Sequence, residues 1–276
     1  MFNNLNVDVA LFVFFVNLSL ITGVIGTIVV LKRMTSIAGS VSHSLLGSVA
    51  LANYLKINPL LVSLPFVFLL SLIIHYIKQT KKVEEETALS IIWIIGVSLG
   101  IIIISLSKTY SSSLSFYLFG NVLFTDFYDV LFSSIFSLIA LVLLYIFNRE
   151  IKNVIIDEEY AKILGINVNV FNVSMLFLTS VSIVLIIKAV GIILLIAIFT
   201  IPATISVKNS DSIEKCILMT TFISLFSFIS GYYLALWFDL PISSTITLLL
   251  LLILFFSQII KNFKTLNFKT LPKIVL

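Results

Sequence analysis

Two places in the sequence hold side chains able to do chemistry. The first is His43, set in Ser40-Val41-Ser42-His43-Ser44-Leu45-Leu46-Gly47. It comes ten residues after Arg33, which on a helix is roughly 15 Å, close to the midplane of a bilayer. An ionisable side chain at that depth is costly and marks a functional position. A neutral imidazole is a good ligand for zinc and other transition metals. The alternative is an interhelical hydrogen bond, and Ser36, Ser40, Ser44, Ser48 and Gly47 suit either close packing or a polar cavity.

The second place is the polar island Ile156–Val168, I-D-E-E-Y-A-K-I-L-G-I-N-V. Asp157 can accept hydrogen bonds from the open first turn of a helix. Glu158 and Glu159 then lie at the positive end of its dipole, and Gly165 can end it in the left-handed conformation. Tyr160, Ile163 and Leu164 recur at i, i+3 and i+4 and form one apolar face. About two turns are too few to be stable alone. Such a helix either lies on the membrane or its own domain, or docks a cytoplasmic partner.

Other polar residues are less distinctive. His75 falls near Lys78 at a helix end, at a depth opposite to that of His43. Glu84-Glu85-Glu86-Thr87 precede an apolar run and suit either capping or an electrostatic contact with a partner. Asp126, Asp129 and Asp239 fall on the outer side, where they would meet a cation or serve as ordinary loop acids. Pro202, in Thr200-Ile201-Pro202-Ala203-Thr204, removes a backbone hydrogen bond inside a span and predicts a kink. Cys216 is the single cysteine, so no internal disulfide forms. The chain has no phosphate-binding glycine loop, H-E-x-x-H or G-x-S-x-G, so any ATP hydrolysis would belong to another chain.

The elements that must position these residues are membrane helices. Hydrophobic residues make up 60% of the chain and charged ones 11%, against roughly 25% charged in soluble domains. The apolar runs are continuous and about 20 residues long, which favours helices over the alternating strands of a barrel. The runs are Val9–Leu31, Ile37–Leu55, Pro59–Ile77, Ala88–Leu106, Phe127–Phe147, Val168–Ile187, Gly191–Val207, Lys215–Leu236 and Ile242–Ile260. They predict an all-α, polytopic bundle of nine spans forming a single transmembrane domain, residues 1–276, or eight spans if Val168–Val207 is divided differently. Ser111–Thr125 reads as a re-entrant or surface helix. Asp8 is the only charge before the first run, which predicts a membrane helix with its N-terminus outside rather than a cleaved signal. With the N-terminus out and the C-terminus in, fourteen of the seventeen Lys and Arg fall inside, leaving Lys56, Lys108 and Lys188 outside.

Taken in order, these pieces resemble the membrane permease of zinc, manganese and iron uptake ABC transporters. The resemblance runs through Lys32-Arg33-Met34, Ser42-His43-Ser44, Glu86-Thr87-Ala88, Phe119-Gly120-Asn121 and Asp157-Glu158-Glu159-Tyr160-Ala161 with Leu164-Gly165-Ile166-Asn167-Val168. It continues through Val190-Gly191-Ile192-Ile193-Leu194-Leu195, Thr200-Ile201-Pro202-Ala203, Gly231-Tyr232-Tyr233 and Leu240-Pro241. It implies a homodimer over two cytoplasmic ABC ATPase subunits, supplied by an extracellular or periplasmic metal-binding protein, in a bacterial or archaeal cell membrane. It implies no bound cofactor; the divalent metal ion is the transported substrate. It also implies that Asp157, Glu158, Glu159, Tyr160, Ile163, Leu164 and Gly165 form the coupling helix seated in the ATPase, and that His43 is a metal ligand. Many members carry an aspartate one turn before the histidine, where this chain has Gly39. The rival readings are a permease of the same design for another small cargo, an ATPase-independent carrier or channel, and an intramembrane enzyme. The last two need several ionisable groups at depth, and here His43 stands alone.

Overall fold

The computed structural model describes residues 2–80, 84–106, 120 and 122–269, and every regular element among them is helical. Helix α1 (Phe2–Ile21) passes through a π-helical turn (Thr22–Gly26) into α2 (Thr27–Leu31). Then follow α3 (Thr35–Leu55), α4 (Pro59–Thr80), α5 (Glu85–Leu106), a 3-10 turn (Val122–Phe124) and α6 (Phe127–Ile146). Two short helices, α7 (Asn148–Ile156) and α8 (Glu158–Ile163), lead into α9 (Val168–Val190), α10 (Ile192–Asn209), α11 (Ile213–Phe238) and α12 (Ile242–Lys269).

Among the described residues, seven helical segments are long and apolar enough to cross a membrane: Val9–Leu31, Pro59–Thr80, Glu86–Leu106, Phe127–Ile146, Val168–Val190, Ile213–Phe238 and Ile242–Ile259. Two of the nine expected spans are not among these seven: α3, which is serine-rich, and α10, whose apolar stretch Leu195–Asn209 is shorter. Several helices outrun their apolar stretches. Lys188 and Lys208 fall inside the last turns of α9 and α10, because a lysine stem can lie along a helix while its ammonium reaches water. Most of the expected re-entrant stretch 111–125, together with Lys81, Lys82, Lys108, Phe119, Asn121 and Lys273, lies outside the described residues.

The core forms where the first span meets the later helices. Phe14, Leu18 and Ile21 of α1, Ile183 and Ile186 of α9, Phe199 of α10 and Phe228 of α11 are all completely enclosed. The π turn lies against α10 and α11, where a side chain on Gly26 would strike the Phe199 carbonyl oxygen at 2.7 Å. The most extensive helix pair is α3 with α5. It closes on Gly47, Gly96 and Gly100: a Cβ on Gly96 would lie 2.3 Å from the Ser44 Cα. Without a hydrophobic drive between helices in lipid, such small-residue contacts bring backbones close enough for dispersion to hold them.

Candidate functional site

The local chemistry of the polar island produces a capped helix. Asp157 has extended backbone, and its carboxylate accepts from the Glu159 and Tyr160 amides at 2.8 and 3.1 Å. At the other end Gly165 takes φ +80, and its amide donates to the Lys162 carbonyl at 3.0 Å. The helix is anchored from one side only. Ala161 is fully buried with Val154 of α7 and Val168 of α9. The apolar residues foreseen from spacing face outward instead: Tyr160 is 53% exposed, Ile163 81% and Leu164 43%. These exposed side chains leave an apolar surface on a polar-rimmed helix.

Glu158 has a role beyond the helix dipole. It bonds the Lys32 ammonium at 2.5 Å, and Lys32 also donates to Asn172 Oδ1 at 2.9 Å. This ties α8 to the end of the first span and to α9. The Lys32 side chain is only 9% exposed, and its ammonium lies 5.9 Å from the Phe171 ring centre. Glu159 makes no such contact and lies on an exposed turn. A second tie joins Lys152 of α7 to Glu214 of α11.

Burial opposes ionisation of Glu158, but the Lys32 ammonium outweighs it and, with Asn172 and Lys162, holds the carboxyl below the usual range. A depressed carboxyl pKa adds stability that is present above the unfolded value, about 4.3, and lost as pH falls through the folded one. Acidification through that window should therefore lower the thermal midpoint of the wild type more than that of Glu158→Gln. Parallel pH profiles for the two proteins would contradict the pairing.

His43 lies near the middle of α3, half-buried. Its ring stacks on Trp93 of α5, with centroids 4.4 Å apart and planes 15° from parallel. The surrounding serines are turned to their own helix: Ser40, Ser42 and Ser44 donate to the carbonyls of Ser36, Ala38 and Ser40 at 3.0, 2.6 and 2.8 Å. At Gly39, a Cβ would meet Ile196 Cδ1 of α10 at 3.1 Å, so α10 packs close to that position. Among the described residues no three of His, Cys, Asp and Glu come together in a way that could hold a metal ion.

Pro202 lies inside α10, which continues through it from Ile192 to Asn209. The Thr200 hydroxyl donates to the Ile196 carbonyl at 2.8 Å rather than to the Ile198 carbonyl that the proline leaves open. Cys216 is buried near the start of α11. His75 meets the Gln79 side chain at 2.9 Å. Asp126 and Asp129 form a structural device. Asp126 and Asp129 cap α6 reciprocally, and Lys188 of α9 reaches Asp129 at 2.5 Å and Asp126 at 3.3 Å.

Comparison with known proteins adds to this geometry. A family model described as the ABC 3 transport family matches residues 6–261. The chain is 33% identical over 232 residues to the "High-affinity zinc uptake system membrane protein ZnuB" of Buchnera aphidicola subsp. Schizaphis graminum, covering 84% of this chain and 89% of that protein. It is 29% identical over 238 residues to a "Probable metal transport system membrane protein" of Chlamydia trachomatis serovar D, covering 84% and 81%. Among solved structures it superposes on a chain of "PsaBC from Streptococcus pneumoniae in complex with Fab" with TM-score 0.81 and 26% identity, over 90% of this chain and 89% of that one.

Proposed function

The chain belongs to the ABC 3 transport family, and on that premise we propose that it is the membrane permease subunit of an ABC importer that brings a divalent transition metal, zinc, manganese or iron, into the cytoplasm. The zinc-uptake and metal-transport relatives support the cargo. The observation that carries the mode of action is α8, a capped helix that turns Tyr160, Ile163 and Leu164 outward while Ala161 holds it to the bundle. A passive channel has no use for such a helix. A permease driven by a separate ATPase needs a rigid element to receive the motion.

In this reading α3 and α10 join the seven apolar segments in a nine-span bundle, with the N-terminus outside and α8 in the cytoplasm. The concentration of Lys and Arg on one side supports that orientation. Two copies of the permease stand over two ATPase subunits, and a metal-binding protein delivers the ion from outside. ATP-driven closure of the ATPases shifts α8. The Lys32–Glu158 contact passes that shift to the first span, and the two bundles rock about the path between them. His43 is the ionisable side chain placed at depth, and its imidazole serves as a transient ligand to the ion.

The test is reconstitution in liposomes with a metal-sensing dye inside. Metal influx should require the ATPase, the binding protein and ATP together, and His43→Ala should reduce it at least tenfold with the complex still assembled. Influx driven by a pH or sodium gradient without any ATPase would overturn the reading. Unchanged influx in His43→Ala would remove that residue from the path and leave the rest standing.

A further inference from the structure

The two histidines of the chain are held in different ways. A nitrogen of the His75 ring meets the Gln79 side chain at 2.9 Å. Neither nitrogen of the His43 ring has a hydrogen-bond partner among the described residues, and the hydroxyls of Ser40, Ser42 and Ser44 donate to carbonyls of their own helix. The His43 ring is held by Trp93 of α5, stacked on it at 4.4 Å and 15° from parallel.

The stack stands at the end of a tight seam. Trp93 lies one turn before Gly96, and His43 adjoins Ser44, the residue that Gly96 packs against. A Cβ on Gly47 would meet the Gly96 carbonyl oxygen at 2.9 Å, and one on Gly100 the Leu46 carbonyl carbon at 3.0 Å. The two backbones are thus fixed in register beside the ring pair, and the indole stays over the imidazole.

This geometry bears on metal binding. An imidazole binds a metal ion or a proton through a nitrogen lone pair that lies in the plane of the ring. A stacked indole covers the π face and leaves that edge free. A ligating histidine ordinarily has its ring orientation fixed by a hydrogen bond from its second nitrogen to a carboxylate, a carbonyl or water. His43 has no such bond among the described residues, and the stack fixes its plane instead. A bound cation also draws electrons from the imidazole, which strengthens its attraction to the negative face of the indole.

We propose that Trp93 is a positioning residue for His43, holding the imidazole plane so that the ring edge is presented to the transported ion. The proposal rests on the transient-ligand role given to His43 above. It needs no ATPase and is tested without one. Trp93 is 43% exposed, so its removal opens no closed cavity and Trp93→Ala is expected to fold.

The chain has two tryptophans, and Trp237 is 82% exposed, so Trp237→Phe leaves Trp93 as the sole indole emitter with little disturbance. In the purified full-length chain carrying that change, acidification should quench Trp93 emission as the imidazole protonates against the indole, and His43→Gln should abolish the response. Zinc should move the midpoint of the quench to lower pH, because metal and proton compete for the same lone pair. The zinc binding that His43→Gln removes, read by competition with a chelating dye, should weaken about tenfold in Trp93→Ala and recover in Trp93→Phe, which keeps an aromatic face. An emission profile that His43→Gln leaves unchanged would show that the rings do not stack and would overturn the proposal. A quench whose midpoint zinc leaves in place would remove His43 as a ligand and the proposal with it. A midpoint that zinc does move, with undiminished zinc affinity in Trp93→Ala, would keep His43 as a ligand and overturn the role of Trp93 alone.

Discussion

Replacing Tyr160, Ile163 and Leu164 together with serine is expected to detach the ATPase and stop metal uptake, with the membrane bundle still folded. The three side chains are largely exposed in the isolated chain, so they contribute little to its own fold. Seated in a partner groove, each large apolar side chain is worth about 2 kcal/mol. Allowing for the surface each already buries, the three together correspond to roughly a thousandfold in affinity. The anchor is separate: Ala161, Val154 and Val168 hold α8 to the bundle, and Asp157 and Gly165 shape its ends. Copurification of permease and ATPase reads the effect directly. A triple variant that still carries its ATPase at full stoichiometry would show that docking occurs elsewhere.

A comparable loss, of folding rather than coupling, is expected from Gly96→Leu. Even the first added carbon would overlap the Ser44 Cα and Cβ at 2.3 and 2.4 Å. Both groups are fixed in their helices, so α5 must move away from α3 along its most extensive contact. Overpacking of this kind costs about 3 kcal/mol or more. The displacement should also separate Trp93 from His43, since Trp93 is three residues before Gly96 and His43 adjoins Ser44. The thermal midpoint should fall and the tryptophan emission should shift. An unchanged midpoint would mean that α5 can slide past Ser44 without loss.

The features legible in the sequence were those decided by neighbours along the chain. Asp157 and Gly165 act within one or two turns of α8, so residue type and spacing placed both ends of the helix. The apolar runs marked the membrane helices because length and composition alone determine which segments a bilayer accepts. Helix ends were less legible, since backbone hydrogen bonding carries a helix past its last apolar residue, as at Lys188 and Lys208. The distant partners left no local signal. Lys32 and Glu158 are 126 residues apart, and Lys188 is 62 from Asp126. Trp93 gave no sign that it would cover His43. Gly96 and Gly100 have the spacing of small residues at close helix contacts, but that spacing names no partner helix. α7 carries little signal of its own, because it is nine residues long and mostly polar, with Ile151 and Val154 buried.

The π turn at Thr22–Gly26 has a rotational consequence for the far end of its span. A π turn takes one more residue than an α turn to complete the same rotation, while a residue of α-helix turns the chain by about 100°. Everything after Gly26 is therefore out of phase with everything before Thr22, relative to an uninterrupted α-helix. Lys32 inherits that phase, and with it the azimuth that brings its ammonium to Glu158. Tightening the turn to regular α-helix with all its residues kept would swing the lysine to another side, whereas removing one residue would restore a regular helix and leave the lysine near its present azimuth. The extra residue held in this buried turn and the position of the lysine that meets Glu158 are thus a single geometric choice.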